Sequence, residues 1–245
     1  MKSYDISEPF YSNFSINPEI EWQMSRAEKY CLIHLLENIN PEYSIEIGTY
    51  KGGSLQVLSK YSKKVYSIDV DSEPKNKLQN LFKNVTFKVG KSHDIIHNVI
   101  KEIESKNGKL NFILVDGDHS KNGVKKDLEC ILSHNFKHPL TVILHDSFNP
   151  QCRSGMKSVE YKKYNFIEHI DLDYIHGCFS PNKNYKEMWG GFAIISINPK
   201  IKKSSSKINQ SQEMLYNTIY RNSIHVIKDK LLFLKPFKKL FNLNK

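Results

Sequence analysis

Two short runs concentrate the groups that can move protons or hold cations. VDGDHS (115–120) carries Asp116, Asp118 and His119, and LHDS (144–147) carries His145 and Asp146. Each follows an apolar β-type run, NFILVD (111–116) and TVILHD (141–146). If these runs are adjacent parallel strands, five ionisable groups meet at one sheet edge. Carboxylates gathered there repel one another unless a cation or a proton intervenes. Hard oxygen donors suit Mg²⁺, which keeps positions open for substrate oxygens. An imidazole in the set moves the preference toward Mn²⁺, Fe²⁺ or Zn²⁺. His119, with an ordinary imidazole pKa, suits a general base acting on a hydroxyl. The rival chemistry is iron-dependent oxygenation at a 2-His-1-carboxylate site, from His119, His145 and Asp116 or Asp146.

A second segment, EIGTYKGGS (46–54), has the composition of a loop that approaches a ligand. Glycines there let the backbone turn tightly at a strand end. The spacing E-x-G-x-x-x-G-G-S lacks the second glycine of the dinucleotide fingerprint and the Gly-Lys-Ser/Thr ending of a P-loop. Asp69 ends the next β-type run, 21 residues after Gly48, where a carboxylate can accept both hydroxyls of a ribose.

These groups need a scaffold that brings strand ends together. Residues 19–39 read as a helix, stopped by Asn40-Pro41. Then β-type runs at 43–48, 65–69, 85–89, 111–116 and 141–146 alternate with amphipathic stretches near 53–60, 74–82, 93–106 and 120–134. Two further runs, 166–172 and 191–197, flank a polar excursion, GCFSPNKNYKEMWGG (177–191), of the kind that forms lids or insertions. The alternation predicts a doubly wound, mostly parallel seven-stranded α/β sheet with its last strand antiparallel, a helix before it and a basic helix after it.

The length, 245 residues, suits one domain with appendages. We expect a domain over 1–199 and a tail over 200–245. No run approaches 18 apolar residues, and MKSYDISEPF has no signal-peptide core, so a cytoplasmic protein is expected. Cys31, Cys130, Cys152 and Cys178 form no C-x-x-C pair and read as reduced thiols. The net charge is +10, but residues 200–245 hold eleven Lys and Arg against two acids. The body is therefore nearly neutral, which argues against a nucleic-acid groove. SSSK (204–207) reads as a linker, and a helical pattern over 211–234, ended by Pro236, sets one apolar half against a polar half. The tail either packs on the domain or a second subunit, or binds an anionic membrane surface through 211–245. In the second case the protein is peripheral at the membrane, and truncation after Ser206 leaves the fold intact.

EIGTYKGGS, SID (67–69), VGKSHDII (89–96) and VDGDHS, in that order at successive strand ends, resemble class I S-adenosylmethionine-dependent methyltransferases. The chain is similar more narrowly to metal-dependent O-methyltransferases of the catechol O-methyltransferase type, whose relatives include cephalosporin hydroxylase-like and macrolide-sugar O-methyltransferases. The resemblance implies a Rossmann-like methyltransferase fold and methyl transfer to a hydroxyl of a sugar, glycan or small natural-product acceptor. It implies that Gly48, Tyr50, Gly52 and Ser54 wrap the methionine end of the cofactor, with Glu46 and Asp116 near the sulfonium. Asp69 would take the ribose, and Ser92 and His93 the adenine; Ser92 also reads as a helix N-cap. Asp116, His145 and Asp146 would hold a divalent metal, Mg²⁺ first and Mn²⁺ next, and His119 stands where a catalytic lysine is found. A non-enzymatic, membrane-associated cofactor-binding scaffold is the other open class.

Overall fold

The computed structural model describes residues 17–180, 186–202 and 207–230. Five parallel strands come first: β1 (Tyr43–Ile47), β2 (Lys64–Asp69), β3 (Val85–Val89), β4 (Leu110–Val115) and β5 (Leu140–His145). After them come β6 (Ile167–Ile175), a two-stranded ribbon of β7 (Cys178–Phe179) with β8 (Met188–Trp189), and β9 (Phe192–Ile197). The sheet order is β3-β2-β1-β4-β5-β9-β6. β9 lies antiparallel between β5 and β6, so the last strand is antiparallel as expected, inside the sheet rather than at its edge. The order reverses between β1 and β4, the place where open α/β sheets leave a crevice beyond their strand ends.

Alternation along the central strands builds a core on each face. Ile45, Ile47, Ile113, Val115, Val142 and Leu144 point one way and pack under α4 (Ser92–Ser105) and α5 (Lys121–Leu132). Phe112, Leu114 and Ile143 point the other way and pack under α1 (Arg26–Ile39) and α2 (Gly53–Tyr61). α3 (Glu73–Leu78) and α6 (Pro150–Lys157) complete the crossovers.

The first helix starts at Arg26, seven residues later than the pattern from 19 suggests. Ser25 caps it: its hydroxyl accepts from the Glu28 N–H while the Glu28 carboxylate accepts from the Ser25 N–H. The capping box fixes the helix start there.

The tail also departs from expectation. The single helix over 211–234 is two, α7 (Glu213–Arg221) and α8 (His225–Lys230), broken at Asn222–Ile224. It is joined to the body. Asn209 pairs with β6, accepting from the Leu172 N–H and donating to the Ile170 carbonyl. The Gln212 N–H donates to Asp173, whose carboxylate forms a buried 2.6 Å ion pair with Arg153. Tyr216 stacks on that guanidinium, 4.1 Å from its carbon. The SSSK linker and the lysine-rich end, KPFKKLFNLNK, fall almost wholly outside the described residues. Among the described residues no helix is long and apolar enough to cross a membrane.

Candidate active site

The chain leaves β1 at Gly48, with φ +85°, and turns so closely that a Cβ there would sit 2.0 Å from the Asp116 carbonyl oxygen. The loops after β1 and β4 are thus in contact, and only glycine fits between them. Tyr50 also takes a positive φ and is 59% exposed, projecting from the loop. Gly52, again at positive φ, opens α2. The loop is tied to β2 by Asp69, whose Oδ2 accepts the Thr49 and Tyr50 N–H groups at 2.8 and 3.0 Å.

Glu46 and Ser54 lie beneath this loop rather than at its open face. The Ser54 hydroxyl donates to Glu46 Oε1 at 2.6 Å, and Oε2 is buried without a hydrogen bond among the described residues. Burial pushes the Glu46 carboxyl up to about 8, against the opposing bond from Ser54. At neutral pH it is largely protonated.

Ser92 is the first residue of α4, not its cap; Lys91 holds the cap position without a side-chain bond. The N-cap reading of Ser92 is thereby corrected. Its hydroxyl is directed instead to Asp127 Oδ1 at 2.5 Å, because α5 packs that carboxylate against the start of α4. His93 is partly exposed beside Asp94, 3.8 Å away.

Four of the five ionisable groups beyond β4 and β5 converge. His119 Nε2 lies 3.0 Å from Asp146 Oδ2 and 3.5 Å from Asp116 Oδ1. His145 Nδ1 lies 2.9 Å from the same Asp116 oxygen. Asp118 is exposed and serves the start of α5, accepting from the Ser120 N–H. A residue that the sequence did not suggest completes the cluster: Glu28 Oε1 faces His145 Nε2 at 3.2 Å and accepts the Gly191 N–H. The Gly190 N–H donates to Asp146 Oδ1 at 2.6 Å, and the Trp189 ring stands edge-on to His119 at 5.3 Å.

Charge follows from this geometry. Ionised carboxylates only accept, so His145, flanked by Asp116 and Glu28, donates from both nitrogens. Burial opposes its charge, but Asp116 and Asp146 outweigh burial and hold the ring well above the usual imidazole range. Bonds to Asp116 and Asp146 push His119 up to about 10. These neighbours hold the His119 ring toward its imidazolium form, so it acts as a base only after giving up that proton. Asp116 is half-buried and Glu28 buried, yet the imidazoles keep both carboxyls below their ordinary values.

Asp116, His119 and Asp146 offer ligand atoms that all lie within 4.8 Å of one another. The expected set had His145 in place of His119. In the structure both His145 nitrogens face carboxylates, and His119 is the ring grouped with the two acids.

Residues 45–147 match the model of a family described as a methyltransferase domain. The fold is similar to that of the O-methyltransferase from Bacillus cereus, determined in complex with SAH. The two share 14% identity over 74% of this chain and 84% of that one, with a TM-score of 0.53. It is also similar to TomG, the O-methyltransferase from Streptomyces achromogenes involved in tomaymycin synthesis, determined with SAM. There the identity is 11% over 74% and 83% of the chains, with a TM-score of 0.50. At these identities the likeness to the two structures is one of fold. No curated protein matches the chain. The matched segment contains the motif-bearing strand ends, and the resemblance read from those motifs is borne out there: residues 45–147 match a methyltransferase domain, on a fold shared with O-methyltransferases determined with SAH or SAM.

Proposed function

We propose that this domain transfers the methyl group of S-adenosylmethionine to a hydroxyl of a sugar, glycan or other small natural-product acceptor. In this reading a divalent metal ion is held by Asp116, His119 and Asp146. The observation that carries it is a shared edge: the loop turned at Gly48 touches Asp116, and Asp116 belongs to the acid–imidazole cluster.

The loop suits the cofactor. Gly48 admits no side chain, Tyr50 and Asp69 lie at its rim, and the buried Glu46 carboxyl beneath it would be drawn toward ionisation by a sulfonium above. The cluster suits a dication. Glu28, Asp116 and Asp146 bring three negative charges and His145 one positive charge. A dication beside a neutral His119 balances them, and His119 gives up its proton to become a ligand. Such an ion supplies Lewis acidity that lowers the pKa of a bound hydroxyl. Two oxygens and an imidazole favour Mn²⁺ over Mg²⁺ more than an all-oxygen set would. The Gly190 N–H fixes the Asp146 carboxylate, and Trp189 walls the cluster beside His119.

Calorimetry with Mn²⁺ and with S-adenosylhomocysteine tests both halves. Asp146→Asn should weaken Mn²⁺ binding at least about tenfold and leave S-adenosylhomocysteine alone. Asp69→Ala should do the reverse, by about 10- to 100-fold. Chelator-insensitive methyl transfer would sink the metal half. A folded wild type with no affinity for S-adenosylhomocysteine would sink the cofactor half.

A further inference from the structure

We infer that Glu28 is the positioning residue of this metal centre, acting through His145; the inference rests on the metal reading above. Glu28 lies on α1, outside the segment matched to the methyltransferase family, and is only 2% exposed. A capping box needs one carboxylate oxygen at a solvent-facing helix start, and Oε2 fills that role with the Ser25 N–H. The other oxygen does something a cap does not require. Oε1 accepts the Gly191 N–H and receives the His145 Nε2–H, while the far nitrogen of the same ring donates to Asp116 Oδ1 at 2.9 Å.

The result is a chain of charge-assisted bonds from α1 through His145 to a ligand carboxylate. It fixes which Asp116 oxygen is occupied by His145, and therefore which way the carboxylate presents itself. The turn before β9 is built around it: Gly190, at φ +75°, has room for no Cβ, which would sit 2.8 Å from Glu28 Oε1. That same turn orients the second ligand carboxylate through the bond from Gly190 to Asp146. Glu28 thus sets both carboxylates, one through His145 and one through the glycine turn. Partners of this kind are commonly worth about 10- to 100-fold in metal affinity.

Glu28→Gln separates positioning from structure. Glutamine keeps one oxygen, enough for the Gly191 N–H and the His145 ring at the Oε1 position, and gives up the cap bond to the Ser25 N–H; its bond to the ring no longer joins two opposite charges and is weaker for it. The readouts are Mn²⁺ affinity by calorimetry, S-adenosylhomocysteine affinity and the thermal midpoint. We expect Mn²⁺ binding about 10- to 100-fold weaker with S-adenosylhomocysteine affinity unchanged. If wild type binds Mn²⁺ and folded Glu28→Gln binds it equally well, Glu28 has no positioning role. If wild type binds no Mn²⁺, the metal reading falls and takes this inference with it. Should Glu28→Gln not fold, Glu28→Asp keeps the charge but retracts it by one methylene. It should weaken Mn²⁺ binding in the same direction, and wild-type affinity in that variant would overturn the inference.

Discussion

Glu46 shows how one buried carboxyl can mark the pH response of the whole domain. It is fully buried on β1, and its carboxyl is pushed up to about 8. The unfolded chain ionises it near its ordinary value, so between about pH 4.5 and 8 the folded state holds a proton that the unfolded state has lost. Stability contributed by the neutral form is therefore present below pH 4.5 and declines as pH rises toward 8. Glu46→Gln should flatten that decline and raise the midpoint at pH 8 relative to wild type, by an effect on the order of a few kcal/mol. Thermal melts at pH 5 and pH 8 check it, and parallel pH dependence in both proteins would remove Glu46 as the source. The residues that could be read in advance share a property with Glu46: they sit at strand ends, where periodicity places them. Asp116, His119, His145 and Asp146 were found that way. Glu28 was not, because it looks like an ordinary capping-box acid and its partner Gly191 is 163 residues away. Asp127, bonded to Ser92, was hidden among the charged residues of an amphipathic helix.

The elements divide along the same line. The first five strands and the helices between them were legible, because apolar runs alternate with amphipathic stretches and each boundary carries a turn residue. The regions after β5 were less so, since their form is set by tertiary contacts. The polar excursion at 177–191 carries a short β7–β8 pairing, and its far end supplies the Gly190 and Gly191 N–H groups to Asp146 and Glu28. The Arg153–Asp173 pair joins α6 to β6 and lies almost wholly out of solvent. Burying two charges is costly, so the pair by itself adds little, but removing one partner strands the other. Asp173 also accepts the Gln212 N–H that leads into α7. Asp173→Ala should cost about 3–5 kcal/mol in urea denaturation. A change within 0.5 kcal/mol would mean that water reaches Arg153 more readily than its packing under Tyr216 indicates.

At the scale of the molecule, the net charge of +10 is concentrated after residue 199. The described part of that basic region is built into the body. Asn209 extends the pairing of β6, Gln212 engages Asp173, Tyr216 covers Arg153 and packs against Phe148, and Lys228 pairs with Glu187 beside the β7–β8 ribbon. Truncation after Ser206 removes all of these partners at once and uncovers a buried guanidinium. Contrary to the expectation of a separable tail, that truncation should lower the thermal midpoint markedly or prevent folding. The membrane question moves to residues 231–245, which carry four lysines and no acid among bulky apolar residues. Each lysine near an anionic surface is worth about 1 kcal/mol, enough together for reversible binding. Truncation after Lys230 should then leave the thermal midpoint and S-adenosylhomocysteine affinity unchanged while abolishing co-sedimentation with phosphatidylserine vesicles. In the intact chain that co-sedimentation should fade as salt shortens the screening length from about 10 Å at 0.1 M to about 3 Å at 1 M. If the intact chain ignores such vesicles at low salt, the terminal lysines serve some other contact. If truncation after Lys230 itself unfolds the protein, residues 231–245 belong to the packed body as α7 does.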